Sequence, residues 1–284
     1  MSLRAKKRAP GSNTNKAMPE ERVLTPGGFR PKSLVHRVEQ GQGLCAVGAF
    51  VHKLDLASNS VIKLPSEELR FADVPALGSG WISYAFWNNG TGRPVSSFQS
   101  TWKVPAAPTT VGSQTIFLFN GIENSGANFG ILQPVLQWGP SAAGGGQFWA
   151  IASWYVTSSG HAFHTDLIQV SVGDTLLGSM TLTGQSGVRF NYDCEFQGVP
   201  VTRLRIRGIA ELQWFNETLE AYGVNQCSDY PSSLQASFAG ISIQAGASPV
   251  PLNWTATNAV QDCNQRCLIV SNSATNGEVD IYFR

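Results

Sequence analysis

The stretch Gly130-Ile-Leu-Gln-Pro-Val-Leu-Gln-Trp-Gly139 places the polar residue Gln133 inside an apolar run. An apolar run of this length between turn residues predicts a buried β-strand. Burying a glutamine amide is costly unless the amide is hydrogen-bonded or has a function. Gln133 is therefore either an ordinary hydrogen-bonding residue of a sheet or a functional residue of a cleft.

The composition of the chain predicts an all-β protein. The 284 residues are 42% hydrophobic and only 14% charged, with 29 Gly, 8 Trp and 15 Phe. Segments such as Trp81–Trp87 and Val95–Val104 alternate apolar and polar residues, and no helical period persists. We therefore expect two large antiparallel sheets packed face to face. The net charge of +1 gives no indication of nucleic-acid binding.

Changes in composition and in apolar–polar alternation divide the chain into four parts. Residues 1–22 read as a disordered basic tail, and residues 23–78 as an N-terminal extension that serves as a propeptide or a strap. Residues 79–246 read as the β-sandwich, and residues 247–284 as a C-terminal extension. Within residues 48–64 the alternation predicts a hairpin that turns near Asn59.

Targeting and partner signals are few. We recognise neither a membrane-spanning run nor the apolar core of a secretory signal. At face value this predicts an intracellular monomer that does not bind membranes.

The chain has five cysteines, which is an odd number. The sequence leaves open a Cys263–Cys267 disulfide, a Cys194–Cys227 disulfide or free buried thiols. His161, His164 and Asp166 lie close together, but their spacing in a loop is weak evidence for a metal site. We expect neither a metal nor a cofactor.

Several segments, taken in order from Gly80 to Gly246, resemble the eqolisins, the family of glutamic peptidases. The resemblance depends on short motifs whose order and spacing agree. They are Trp81, Lys103-Val-Pro105, Phe119-Asn-Gly-Ile-Glu123, Ile131-Leu-Gln133, Ser153-Trp-Tyr155, Val172-Gly-Asp174, Thr218-Leu-Glu-Ala-Tyr222 and Gln235-Ala-Ser-Phe238.

The resemblance implies a concanavalin A-like β-sandwich with a cleft on its concave sheet. It also implies that Gln133 and Glu220 point into this cleft and hydrolyse peptide bonds. Ionised Glu220 would take a proton from water, and the amide of Gln133 would stabilise the oxyanion. Because strand side chains alternate, Glu217 would lie on the opposite face and Asn216 on the face of Glu220.

The resemblance also implies a set of residues that contact substrate. Some of them differ from the family, which has an acidic residue in place of Gln137 and acidic or aromatic residues in place of Trp149, Ile151 and Ser153. These differences indicate a more apolar cleft. The expected substrate-binding residues are Glu123, Gln137, Trp149, Ser153, Tyr155 and Phe119.

Three functions remain open at this point. The first is a glutamic endopeptidase, a probable hydrolase that acts on a protein or peptide. The second is an acid–base enzyme that uses the same cleft for a small apolar molecule. The third is a carbohydrate-binding module.

Glu220 also has a structural alternative, as a strand residue that forms a salt bridge with Arg205 or Arg207. A catalytic Gln133–Glu220 pair requires both residues on one face within about 10 Å, since one water must reach both. Sugar stacking would use Trp138, Trp149, Trp154 or Trp214.

Overall fold

A computed structural model of the chain describes residues 20–64, 76, 78–124 and 130–284. In these ranges the chain forms β-strands and three short 3₁₀ turns, and no α-helix. The all-β expectation is therefore confirmed. The same ranges contain no helix with the length and apolar character needed to cross a membrane. The 3₁₀ turns are Lys32–Leu34, Pro200–Thr202 and Cys227–Asp229.

One large sheet, called the front sheet, has nine strands in the order β20-β7-β17-β9-β10-β11-β12-β3, with β13 also paired to β11. Its central strands β7, β17, β9, β10 and β11 are antiparallel. The strand bounds are β3 Val35–Arg37, β7 Trp81–Asn88, β9 Thr115–Glu123, β10 Gly130–Ser141, β11 Gly144–Thr157, β12 Ala162–His164, β13 Ile168–Gln169, β17 Trp214–Tyr222 and β20 Thr255–Asn258.

The second large sheet, called the back sheet, has eleven strands in the order β21-β22-β18-β8-β14-β15-β16-β4-β5-β6, with β19 also paired to β18. The strand bounds are β4 Gln42–Val47, β5 Phe50–Asp55, β6 Val61–Ile62, β8 Ser97–Lys103, β14 Thr175–Ser186, β15 Arg189–Phe196, β16 Leu204–Ile209, β18 Gln235–Ala245, β19 Ser248–Pro249, β21 Arg266–Ser271 and β22 Gly277–Tyr282.

The two sheets pack face to face around the main apolar core. The ring of Phe98 on β8 meets the ring of Phe215 on β17 edge-on at 5.5 Å. The side-chain amide of Asn120 on β9 donates to the backbone oxygen of Gly178 on β14, at 3.2 Å. We call the face of the front sheet that points to the back sheet its inner face, and the opposite one its outer face.

Segments on both sides of residues 79–246 add strands to both sheets. From the N-terminal side, β3 joins the front sheet through a parallel pair with β12, and β4 joins the back sheet through a parallel pair with β16. The hairpin of β5 and β6 turns at Asn59, which has a φ of 55°, as the sequence predicts. Most of the tail expected over residues 1–22 lies outside the described residues.

A separate hairpin precedes these strands. Its strands β1 (Arg22–Thr25) and β2 (Gly28–Pro31) pair with each other and with no strand of the large sheets in the described ranges. The hairpin is important for the site, because it lies on the outer face of the front sheet.

The cysteine pairing differs from both expected disulfides. Cys227 is bonded to Cys263, while Cys45, Cys194 and Cys267 are free thiols. Cys194 lies on β15 and is fully buried in the core between the sheets. Sequence spacing did not indicate the Cys227–Cys263 pair, since the tertiary fold brings the C-terminal segment beside the turn after β17.

Candidate functional site

The alternation of β9, β10 and β17 brings most of the expected site residues to the outer face. Gln133 and Gln137 on β10 share this face with Phe119 and Glu123 on β9. Residues of even number on β17 face the same way, because Glu220 is paired with Phe117 and Thr218 with Phe119.

Glu217 faces the opposite way, as the odd spacing predicts. Its carboxyl accepts a hydrogen bond from Ser100 of the back sheet, at 3.3 Å. Burial in the layer between the sheets raises the pKa of Glu217 well above its usual value. Glu217 is therefore excluded from the outer face.

Residues that lie opposite one another on neighbouring strands form a row across the sheet. Gln133 belongs to the row of Asn216 and not to that of Glu220. The pairs Leu132↔Ile122 and Val135↔Phe119 place Gln133 opposite Gly121, and Gly121 is paired with Asn216 on β17. Gly121 leaves room between the two amides: a Cβ added there would be 2.9 Å from Oδ1 of Asn216.

Glu220 belongs to a different row, with Phe117 on β9 and Gln137 on β10. Gln133 and Glu220 are thus two strands and four residues apart. At about 4.8 Å per strand and 3.3 Å per residue, their Cα atoms are ~16 Å apart. One water cannot reach both side chains, so the adjacent Gln133–Glu220 pair expected from the sequence is not present in this structure.

The carboxyl group of Glu220 is held by the hairpin and by its own strand. The backbone N–H of Gly27 donates to Oε1 at 2.7 Å, and the hydroxyl of Tyr222 is 2.6 Å from the same oxygen. The Tyr222 hydroxyl also contacts the backbone oxygen of Ser79. A phenol has one hydrogen, which the Tyr222 hydroxyl shares between Oε1 of Glu220 and the backbone oxygen of Ser79.

The pKa of Glu220 agrees with a protonated carboxyl. Burial raises this pKa to about 8, while the hydrogen bonds from Tyr222 and Gly27 and the charge of Arg30 act in the opposite direction. A protonated carboxyl cannot accept a proton from water. Below about pH 8 Glu220 is therefore mostly protonated, and only its ionised form could act as a base.

Gln137 has a structural role in this structure. Its amide nitrogen donates to the backbone oxygens of Gly139 and Gly144, at 2.6 and 2.9 Å, and its oxygen accepts from Ser141 at 2.8 Å. These bonds fix the turn between β10 and β11. They leave little of the amide free for a ligand.

The hairpin contacts Glu220, and both residues of the expected pair are buried. Glu220 is 0% exposed and Gln133 1%. Leu24 of the hairpin packs in an apolar cluster of the outer face with Phe117, Phe119 and Trp154. No substrate reaches Glu220 while the hairpin is in this position.

An open pocket of about 310 Å³ lies at the edge of the outer face, and its single carboxyl group is Glu123. Burial raises the pKa of Glu123 to about 8. The rings of Trp81 and Trp214 are stacked 5.9 Å apart, and Tyr84 meets Trp81 edge-on at 4.9 Å. The pocket is lined by Gly78, Trp81, Tyr84, Glu123, Trp214 and Ala259.

Gln133 and Glu123 are diagonal neighbours on adjacent strands, because Glu123 is paired with Ile131 two residues away. Such neighbours have Cα atoms about 7–8 Å apart, within reach of two long side chains. Glu123 is therefore much closer to Gln133 than Glu220 is.

Three expected substrate-binding residues lie on the wrong face for that role. Trp149 and Tyr155 belong to the core between the sheets, and Ser153, which alternates with them on β11, is fully buried. The β10–β11 register pairs Gln133 with Trp154. The residues of β11 that share the face of Gln133 are therefore those of even number. The motif comparison had placed the odd-numbered residues Trp149, Ser153 and Tyr155 on this face, which is wrong.

The proposed sugar-stacking tryptophans are also separated. Trp138 and Trp149 pack edge-to-face in the inner core, and Trp154 is buried on the outer face. Trp214, which is half-buried, lines the open pocket. Of the four, only Trp214 is placed to stack with a ligand.

Sequence reasoning missed the roles of Tyr222 and Gly27. Tyr222 is two residues after Glu220 on one strand, so alternation alone places it on the same face. No local signal links Gly27 to Glu220, because 193 residues separate them.

The histidines near β12 form contacts that differ from a metal site. His161 Nδ1 is 3.1 Å from His36 Nε2, and Arg37 forms an ion pair with Asp166 at 2.5 Å. No group of three or more His, Cys, Asp or Glu in the described ranges is arranged to hold a metal ion.

With this geometry established, the chain can be compared with known proteins. No family model and no curated protein sequence matches it. A crystal structure of scytalidoglutamic peptidase with a peptide-based transition-state analogue is similar over 71% of this chain and 98% of its own, with 16% identity and a TM-score of 0.45. A structure of the eqolisin-family peptidase SCP-B bound to the tripeptide Ala-Ile-His is similar over 72% of this chain and 99% of its own. Its sequence identity is 16% and its TM-score is 0.39.

A third similar structure is a beta-porphyranase from the human gut bacterium Bacteroides plebeius. It covers 64% of this chain with 6% identity and a TM-score of 0.26.

Proposed function

We propose that this chain is a divergent eqolisin-like protein that binds a small apolar or aromatic molecule in the Glu123 pocket and acts on it by acid–base catalysis. The observation that carries the proposal is a carboxyl group of raised pKa in an open aromatic pocket. Such pockets are the default sites for small molecules, and perturbed carboxyl groups mark functional sites.

The chemistry follows from the protonation state of Glu123. With a pKa of about 8, its carboxyl is mostly protonated at neutral pH. It can donate this proton to the leaving oxygen of an ester while water adds to the carbonyl carbon, and the proton that this water releases returns to the carboxylate. The partly exposed rings of Trp214 and Tyr84 provide apolar surface for the ligand.

Ethyl benzoate and indole are suitable probes, because ethoxide is a poor leaving group that needs a proton to depart. Indole binding is measured by isothermal titration, and ester hydrolysis is followed from pH 5 to 9. We expect Trp214→Ala to abolish binding, and Glu123→Gln to lower turnover by about 10²–10⁴-fold with binding kept. Glu278→Gln, on the back sheet, is the control. Turnover that is unchanged in Glu123→Gln contradicts the proposal.

Peptide hydrolysis is the second candidate, and one observation favours it. The outer face already holds a polypeptide, whose Gly27 N–H is bonded to Glu220. A glutamic-type peptidase that uses Glu220 would act only after the hairpin has left and the carboxyl has been hydrated. It would need another donor for the oxyanion, because Gln133 lies ~16 Å away by strand and residue spacing.

A cleavage assay on denatured protein, from acid to neutral pH, separates the two candidates. Cleavage that is lost in Glu220→Gln and kept in Glu123→Gln would support the peptidase. If no cleavage occurs at any pH in a folded protein with the hairpin released, the peptidase candidate is excluded.

A further inference from the structure

A second cavity, of about 540 Å³, lies on the surface of the back sheet that faces away from the front sheet. We call this surface the rear surface. Trp102 on β8 and Phe238 on β18 belong to the core between the sheets. Strand alternation therefore turns Thr101, Lys103 and Ser237, which line the cavity, to the rear surface. The volume is within the range of small-molecule sites, about 300–1,000 Å³.

The rear surface is concave here because its side chains are small and β18 is bent. Thr101 is paired with Ala239, and the pairing of β18 with β8 shifts between Ala239 and Ser242. Gly240, inside this bulge, has a φ of 60°. A bulge bends its strand and often lies beside a functional site. The small side chains of Thr101 and Ala239 leave the space above the sheet open.

Two loops form walls that are fixed by hydrogen bonds. The N–H of Val104 donates to the backbone oxygen of Asp174, and the N–H of Gly173 donates to that of Val104, both at 2.9 Å. The N–H of Ala106 donates to the hydroxyl of Ser233 at 2.8 Å. The cavity is therefore formed before a ligand binds, which lowers the entropic cost of binding.

The charge of the cavity comes from Lys103. Among the described residues that line it, Lys103 is the one with an ionisable side chain, and no ion pair in the described ranges includes it. Asp174 is close in sequence but lies outside the lining, and its carboxyl accepts a hydrogen bond from the N–H of Ser171 at 2.8 Å. An ammonium group that lacks a carboxylate partner attracts an anion.

The rest of the lining is apolar or carries neutral hydroxyl groups. Val172 in one wall is 56% exposed, and Pro105 and Ala239 add apolar surface. Thr175 is paired with Lys103, so its hydroxyl lies on the same surface and can donate a hydrogen bond to an anion. This combination favours a ligand with one negative charge and an apolar body.

We propose that the rear cavity binds a small aliphatic monocarboxylate, with the carboxylate at Lys103 and the alkyl chain along Pro105 and Val172. The cavity is on the back sheet, whereas the Glu123 pocket is on the outer face of the front sheet. The inference therefore does not depend on the function proposed for Glu123.

Hexanoate, 1-hexanol and hexylamine are the probes, because they share an alkyl chain and differ in charge. The lysines of the full chain are dimethylated with ¹³C-formaldehyde, which keeps their charge, and are followed by NMR. The signal of Lys103 is assigned by its absence in Lys103→Gln. We expect hexanoate to shift this signal in a saturable way, 1-hexanol to bind more weakly and hexylamine not to bind.

Isothermal titration of unmodified proteins then measures the role of the charge. Lys103→Gln should weaken hexanoate binding about fivefold, the upper range for an exposed ion pair, and leave 1-hexanol binding unchanged. Lys63→Gln, at an exposed lysine beside β6 of the same sheet, is the matched control and should bind hexanoate like wild type.

Ala239→Leu tests the location, because its larger side chain would fill the floor of the cavity. Binding of both hexanoate and 1-hexanol should be lost, while thermal unfolding shows that the protein is folded. Thr101→Leu, on the same surface, is a second filling variant.

Three results would overturn the inference. One is equal binding of hexanoate and 1-hexanol to wild type, because the charge of Lys103 would then have no effect. Another is the absence of a saturable shift of the Lys103 signal. The last is unchanged hexanoate binding in a folded Ala239→Leu or Thr101→Leu protein.

Discussion

The side chain of Gln133 faces that of Asn216 across Gly121, while Glu220 lies four residues further along β17. Asn216 is fully buried, and its Oδ1 accepts a hydrogen bond from Thr218 at 3.0 Å. Two amides cannot act as a base, since neither accepts a proton near neutral pH. The row of Gln133 therefore lacks the carboxyl group that the resemblance implied.

Gly121→Ala should destabilise the protein by about 1–3 kcal/mol, the usual cost of overpacking. An added Cβ would be 2.9 Å from Oδ1 of Asn216 and 3.0 Å from Cδ1 of Ile131. Urea unfolding measures the change. Gly90→Ala is the control, because a Cβ there meets no atom within 4 Å. An equal effect of both variants would show that the space above Gly121 is not filled.

Glu217→Gln should make the protein more stable at alkaline pH. Because the pKa of Glu217 is raised in the folded state, the folded protein holds this proton to a higher pH than the unfolded chain. Its contribution is fully present below the unfolded pKa of about 4.5, and it is lost as the pH rises.

We therefore expect wild type and Glu217→Gln to be similar at pH 4, and the variant to gain up to about 1.4 kcal/mol per pH unit above that. Thermal unfolding from pH 4 to 9 measures the gain. Glu39→Gln, at an exposed position, should show no such slope. A difference that does not depend on pH would mean that Glu217 is already ionised in the folded protein.

Turnover at the Glu123 pocket should decrease as the pH rises through about 8, where Glu123 loses its proton. The same titration should appear in the infrared carboxyl band of the free protein. Because Glu220 also has a pKa of about 8, we expect the band change near pH 8 to become smaller in Glu123→Gln and to disappear when Glu220→Gln is added. This band does not require a substrate. A carboxyl that titrates near pH 4.5 would show that the pocket does not raise the pKa of Glu123.

Loss of the Cys227–Cys263 disulfide should cost about 4 kcal/mol, from the entropy of closing a loop that spans 36 residues. The variant with both cysteines changed to serine measures this in urea. Cys45→Ser, at a half-buried free thiol, should cost less than about 1 kcal/mol. Similar losses in the two proteins would contradict a bond that closes the loop.

Residue patterns by themselves determined the all-β class and the position of the central strands. They also placed Asn216 and Glu220 on one face of their strand, with Glu217 on the other. These results depend on the two-residue period of a strand, which is local and can be read from a single segment.

The register between strands had to come from the tertiary structure. It separates Gln133 from Glu220, and it turns Trp149, Ser153 and Tyr155 towards the core. A one-residue difference in pairing exchanges the two faces of a strand, and motif order alone does not fix the pairing.

The cover on Glu220 was likewise decided by the tertiary structure. The sequence indicated a possible strap within residues 23–78, but no local pattern shows that Gly27 lies against a carboxyl group 193 residues away. Such contacts depend on how distant segments pack, and packing is a property of the whole chain. Local periodicity thus determined which side chains share a face, and long-range pairing and packing decided which of them meet.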